Sequence, residues 1–313
     1  MRNTFKNFII LILFSVIFPQ RGIGLNSPSE LKIDLNNQSN PIYPLKGRIL
    51  YPITIKHFDI PVEYNAKVDK WIRFFLGNGR DYFVIYSERA GKFVPLLSKI
   101  LELHDLPQDL VFVAMAESGF SQQAKSKADA VGPWQFMKST AHNFGLKVND
   151  YVDERKDPIK STIAASRYLK KLFQMFGSWD LAMAAYNAGE GSLARALKKA
   201  NTSEFWSMSE KNFLPQETKD YIPKIYALAI MGKNLEHFGI DSLNFHEPLN
   251  FEEVDIPGNT NLHEYAKKIG TDWKNLQQLN PELLQPLTPP NVKNYKLRID
   301  QLQMANWRAC CSK

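Results

Sequence analysis

The sequence predicts a mainly α-helical protein that ends in a small two-strand, two-helix module. The 313 residues are 44% hydrophobic, 12% aromatic and 23% charged, the composition of a folded chain rather than a disordered one. From about 62 to 240 apolar residues recur at helical spacing between capping residues, over a length able to bury its own core. Beyond Gly239 the pattern changes to short strand-like runs and turn residues over 251–300.

Taken in order, residues 1–7 carry Arg2 and Lys6 without an acid, and 8–18 are an unbroken apolar run ahead of Pro19, Gly22 and Gly24. This layout predicts a removable export signal over 1–24, since the run would span only about half of a hydrocarbon core. An uncleaved anchor is the alternative, and membrane association is expected only in that case. A lipid anchor is not expected, because no cysteine precedes Cys310. Residues 25–61, rich in Asn, Pro and Ser, read as an extended arm or tether.

In the helical region, Pro107 suits a helix start, Leu110 to Ala116 are apolar throughout and Gly119 can end the helix, so 107–118 is predicted to be buried on all sides. Asp157 as cap, Pro158 in the first turn and Gly177 at the end bound an amphipathic helix whose apolar face includes Ile159, Ile163, Leu169, Leu172, Phe173 and Phe176. Another helix runs from Pro215 toward Gly239, with a bend expected at Pro223. The C-terminal module reads as a strand at 251–256, a turn at 257–259, helices at 260–269 and 272–279, and a closing strand YKLRI, within boundaries of 251–302.

Composition also excludes functions. Cys310 and Cys311 are adjacent, so they form neither a disulfide scaffold nor a zinc site; no metal and no cofactor are expected. Thirty-nine Lys and Arg against 32 Asp and Glu give +7, too small an excess to argue for nucleic acid but suited to an anionic polymer. Part of it belongs to the export segment, with Arg2, Lys6 and Arg21.

Chemistry concentrates at Glu117. A carboxylate at the end of a buried helix loses solvation and sits at the negative pole of the backbone dipole, and both effects favour its protonated form. It reads as a general acid; the bland alternative is a glutamate emerging into solvent. VGPWQFM (131–137) places Gln135 between Trp134 and Phe136, and AAYNAG (184–189) places Tyr186 and Asn187 after an apolar run. Aromatic faces and amides suit a sugar cleft. Trp134 and Met137 read as core. Asp129, Asp150, Asp153, Glu154 and Glu190 could supply a second carboxylate, but their polar, loop-like surroundings read as solvated charges or caps.

In sequence, Glu117–Ser118, Ser126, Gly132-x-Trp134–Gln135, Ala185–Tyr186–Asn187 and Glu217–Thr218-x-x-Tyr221 resemble the successive motifs of the soluble-type lytic transglycosylases with a goose-lysozyme-like fold, the membrane-bound lytic murein transglycosylase D group above all. Gln122 and Pro133 depart from the usual pattern. The resemblance implies a lysozyme-like catalytic domain over 62–240, with Glu117 as catalytic acid. It implies glycan contacts from Ser126, Gln135, Tyr186, Asn187 and Tyr221. Ser118 would either touch substrate or position the acid, and Glu217 would be structural or binding. The implied reaction cleaves the β-1,4 bond between N-acetylmuramic acid and N-acetylglucosamine in peptidoglycan, with closure of a 1,6-anhydro ring. Residues 251–302 resemble a degenerate LysM module through Gly258–Asn259–Thr260-x-Leu262, Leu279–Asn280 and Leu297-x-Ile299. The expected setting is the periplasm or envelope of a bacterium, the partner peptidoglycan strands, and the protein a monomer. A water-consuming hydrolase and a non-catalytic wall binder remain as rival readings.

Overall fold

The structure, a computed structural model, describes residues 58–211 and 213–311, together with the backbone of β1 (Pro44–Leu45) and β2 (Arg48–Ile49), which pair antiparallel. The predicted signal over 1–24 and most of the predicted arm lie outside the described residues. The end of that arm packs: Ile60 is buried, and the Asp59 carboxylate accepts from the backbone N–H of Gln108 (2.6 Å) and Asp109 (3.0 Å).

The helical part begins with α1 (Ala66–Leu76), where Asn65 caps Lys67 and Val68 and the stripe Val68, Ile72, Phe75 turns inward. The long α2 (Arg80–Leu103) follows. A short 3-10 turn leads into α3 (Val111–Ser118), whose residues from Val111 to Ala116 are all buried, as their unbroken apolar run requires. It lies between α2 and α9 (Gln216–Lys233). Between them come α4 (Lys138–Asn143), α5 (Pro158–Phe176), α6 (Trp179–Ala188), α7 (Glu190–Ala200) and α8 (Phe205–Glu210). Asp157 and Gly177 bound α5 as predicted, the Asp157 carboxylate accepting from Ile159 (2.8 Å) and Lys160 (3.0 Å). The helix α9 runs unbroken through Pro223 and stops at Lys233, before Gly239. Among the described residues no helix is long and apolar enough to cross a membrane.

The C-terminal module has the predicted order: β3 (Glu252–Pro257), α10 (Leu262–Lys268), α11 (Trp273–Leu279) and β4 (Asn294–Ile299). The two strands pair antiparallel from Glu252 opposite Ile299 to Pro257 opposite Asn294, and Val254, Ile256, Tyr295, Leu297 and Ile299 face a second core. A helix that the sequence reading missed, α12 (Met304–Cys311), adds Met304 and Trp307 to that core. Cys310 and Cys311 bond to each other and close no loop.

The module is clamped to the helical part. Asp153 N donates to Glu282 O (2.8 Å), Leu284 N to Tyr151 O (2.9 Å), and Val152 packs within the module's core. Beside this seam Arg298, 4% exposed, reaches the Asp157 carboxylate at 2.8 Å, so one buried aspartate both caps α5 and binds the module. Glu282, 1% exposed, accepts from the Tyr295 hydroxyl (2.8 Å), and Lys160 bridges Glu154 at 2.9 Å and Glu282 at 3.8 Å.

Candidate active site around Glu117

Glu117 occupies the last turn of α3, and the chain leaves the helix through Gly119 at φ 57. Glycine is needed there for two reasons: the left-handed conformation, and the Tyr86 ring, which would lie 2.0 Å from an added Cβ. The Tyr221 hydroxyl of α9 donates to Glu117 Oε1 at 2.5 Å, and Lys224 Nζ, one turn on, donates to Ala116 O at 2.5 Å. Loss of solvation pushes the Glu117 carboxyl up to about 7. Tyr221 and Lys224 pull against that rise, and the nearby Glu217 charge adds to it. Burial also drives the Tyr221 and Tyr186 phenols well above their ordinary range, with the Glu117 charge adding to it, so both stay neutral donors.

The loop from Gly119 to Phe136 forms the facing wall. Phe120, Asp129 and Gln135 all take positive φ, as do Gly119 and Gly132, a concentration of left-handed backbone that ordinary loops do not need. Internal bonds hold it. Ser118 Oγ donates to Pro133 O (2.9 Å) and accepts from Ser121 N (3.1 Å), so it ties the two ends of the loop together. Ser126 Oγ accepts from Ala128 N (3.2 Å) and Ala130 N (3.0 Å). Gln135 Nε2 donates to Gly132 O (2.9 Å), leaving its carbonyl as an acceptor on a half-buried side chain. From below, Arg155 donates to Asp129 O (2.9 Å) and Phe136 O (3.2 Å) while paired to Asp153 at 2.8 Å.

The third side is the end of α6. The Tyr186 hydroxyl donates to Trp134 O at 2.8 Å, and its ring packs on Phe136 and Tyr168. Asn187 accepts from Thr218 Oγ1 (2.9 Å) and bonds the Glu217 carboxylate, joining α6 to the start of α9. Tyr186 and Asn187 therefore meet Glu117, Glu217 and Tyr221 in one place. Gln135 joins them through the Tyr186–Trp134 bond, next door in the chain. Ser126 lies in the same wall, one hydrogen-bonded turn away.

Trp134 is core, as read from the sequence: it is fully buried and its indole N–H donates to Thr162 Oγ1 at 2.8 Å. Two expectations are corrected. Met137 is not core but 43% exposed, because it stands ahead of α4 with extended backbone. Asp153 and Glu154 are not solvated: they are buried against Arg155 and Lys160. Asp129 does pair at the surface with Lys125, and Glu190 opens α7 bonded to Lys171 and Tyr168. The carboxylate whose charge reaches Glu117 is Glu217, which was not weighed as its partner. Lys224 and Arg155 were also missed; the seven-residue interval from Glu217 through Tyr221 to Lys224 on one helix face was the available signal for the former.

Residues 99–209 match the transglycosylase SLT domain. The chain is 34% identical over 206 residues to membrane-bound lytic murein transglycosylase D of Escherichia coli (strain K12), an alignment covering 64% of this chain and 45% of that protein. It is 35% identical over 150 residues to the peptidoglycan transglycosylase gp16 of Escherichia phage T7, covering 46% of this chain and 11% of that one. The chain thus spans less than half the length of either relative. The 70 kDa soluble lytic transglycosylase of Escherichia coli overlays with a TM-score of 0.43 at 18% identity, over 57% of this chain and 32% of that one, too loosely to add to the argument. Residues 99–209, which carry Glu117, the facing loop, Tyr186 and Asn187, are thus the part of the chain that is similar to the transglycosylase SLT domain.

Proposed function

We propose that the protein is a peptidoglycan lytic transglycosylase that cleaves the β-1,4 bond between N-acetylmuramic acid and N-acetylglucosamine and leaves a 1,6-anhydromuramyl end. The observation that carries this reading is the Glu117 carboxyl, pushed up to about 7 by desolvation and held by the Tyr221 phenol at 2.5 Å. A carboxyl poised there holds a proton at neutral pH and can also release it, so it can serve as acid and then as base. Protonated Glu117 donates to the glycosidic oxygen as the C1–O bond breaks, while the substrate's own acetamido group stabilises C1. The resulting carboxylate, accepting from Tyr221, then takes the proton of the C6 hydroxyl as that oxygen bonds C1. The proton returns to Glu117 and no water is consumed.

Gln135, with its free carbonyl, and Ser126, whose hydroxyl hydrogen is unspent on the backbone, are the groups suited to bind sugar amides and hydroxyls. Tyr186 offers a ring face. Asn187 and Ser118, already bonded within the protein, shape the cleft more than they reach into it. The setting is the bacterial cell envelope, reached by export through residues 1–24. The C-terminal module, with its βααβ order, acts as a LysM-like wall-binding element held rigidly to the catalytic part.

The test is digestion of purified sacculi followed by mass spectrometry. Anhydro products, lighter by one water than hydrolytic ones, are expected from the native chain and none from Glu117→Gln. Products with reducing ends would instead assign Glu217 as the second carboxylate of a hydrolase.

A further inference from the structure

We propose that Lys224 and Glu217 are an opposed pair of positioning charges that sets how readily Glu117 gives up its proton; the role rests on the reading of Glu117 as the acid. Glu217, Tyr221 and Lys224 follow one another at intervals of four and three residues, so all three sit on the face of α9 that meets α3. Among the described residues only Tyr221 bonds the Glu117 carboxyl itself. Lys224 instead donates at 2.5 Å to Ala116 O, one of the last-turn carbonyls of α3 that lack an intrahelical partner. A lysine there complements the negative end of the helix and fixes the peptide from which Glu117 projects. Glu217 is fixed in turn by Asn187, which Thr218 orients.

The two charges push Glu117 in opposite directions, Lys224 toward the ionised form and Glu217 toward the protonated one. Among the described residues the surroundings offer little else that is charged. From α6 and α9 come the neutral phenols of Tyr186 and Tyr221, and from α5 that of Tyr168, whose hydroxyl is bonded to the Lys171-paired Glu190. From α2, Tyr86 packs beneath Gly119, and Arg89 donates to Gly119 O at 3.3 Å. Arg89 thus caps the helix end beyond the acid, whereas Lys224 caps the residue before it.

The experiment titrates the full chain, labelled with carbon-13 at glutamate carboxyls, the Glu117 signal being the one lost in Glu117→Gln. Lys224→Met is expected to raise the Glu117 midpoint by about 1 pH unit, Glu217→Gln to lower it by a similar amount, and Lys224→Arg to leave it near the native value. The alkaline limb of kcat/KM on sacculi should move the same way. A midpoint unmoved by both neutral substitutions, or moved in the same direction by both, overturns the proposal. Should Lys224→Met fail to fold, a Glu217→Gln midpoint that does not fall, or a Lys224→Arg midpoint that departs from the native value, overturns it equally. If the midpoints respond as stated but no chain cuts sacculi, the charge pair stands and the activity reading falls.

Discussion

Two of the buried groups of charges in the protein are built on different principles. At the seam between the helical part and the C-terminal module, Asp157, Glu282, Glu154, Arg298 and Lys160 lie within a mutual lattice of ion pairs and hydrogen bonds. Burial works against the Arg298 charge, and Asp157 and Glu282 more than offset it. In the cleft, Glu117 has one phenol on its carboxyl, and the lysine beside it is directed at a backbone carbonyl instead. Pairing of opposite charges at the seam makes charge a fastener, although Glu282 Oε2 has no hydrogen-bond partner among the described residues; in the cleft, a carboxyl that faces a phenol keeps a proton that can move. If this contrast is right, removing a charge should have opposite consequences for stability in the two places.

The largest effect is expected from Glu117→Gln. Loss of the general acid and base should lower turnover on sacculi by about 100- to 10,000-fold, measured as release of soluble muropeptides. The same substitution should stabilise the fold. Native Glu117 keeps its proton up to about pH 7, whereas the unfolded chain releases it near the ordinary 4.5. Between those values the folded state binds more protons, so native stability falls as pH rises. The variant's advantage should be absent below that window and level off above it at roughly 3 kcal/mol, read from urea unfolding at pH 4 and pH 8. A variant less stable than the native chain at pH 8 would remove the cleft from its side of the comparison.

Next in size is Arg298→Met. It leaves Asp157 buried without its guanidinium partner and Glu282 without a neighbouring positive charge, and breaking a buried pair from one side costs about 3–5 kcal/mol. Urea unfolding at neutral pH measures it. A loss below about 1 kcal/mol would mean that the seam behaves as a solvated surface contact. Deleting the module is a poorer test, because it strips Asp157, the cap of α5, of the same partner.

These two regions also differ in how far the sequence discloses them. The burial of the Glu117 helix was legible from local rules, seven apolar residues, then Glu117, then a glycine that ends the helix, while those rules alone left open a glutamate emerging into solvent. The seam was not, because its partners are remote; Arg298 and Asp157 are 141 positions apart. In β4, Arg298 and Lys296 share the face opposite Tyr295, Leu297 and Ile299, and that face is covered by the helical part at Arg298 and open at Lys296. The same blindness made Asp153 and Glu154 look solvated. Period and capping describe one element at a time, and whether an outward face meets water depends on what docks there.

A smaller change isolates the phenol. Gly132→Ala is unsuited to this, since its Cβ would sit 1.8 Å from Arg155 O at a φ of 84 and disturb the whole loop. Tyr221→Phe removes one hydroxyl and keeps the ring. Because the Tyr221 bond favours the ionised carboxyl, its loss should raise the Glu117 midpoint further, by up to about 1 pH unit. The sign matters more than the size. A carboxyl protonated to higher pH extends the acid step upward, so the variant, weaker than the native chain at pH 5 for want of a bond to the developing carboxylate, should regain ground relative to it between pH 7 and 8. Muropeptide release across that range, as a ratio of variant to native, should therefore rise with pH. A flat ratio would mean that Tyr221 supports the cleft as packing alone, and that the lability of the Glu117 proton owes nothing to the bond its carboxyl accepts from Tyr221.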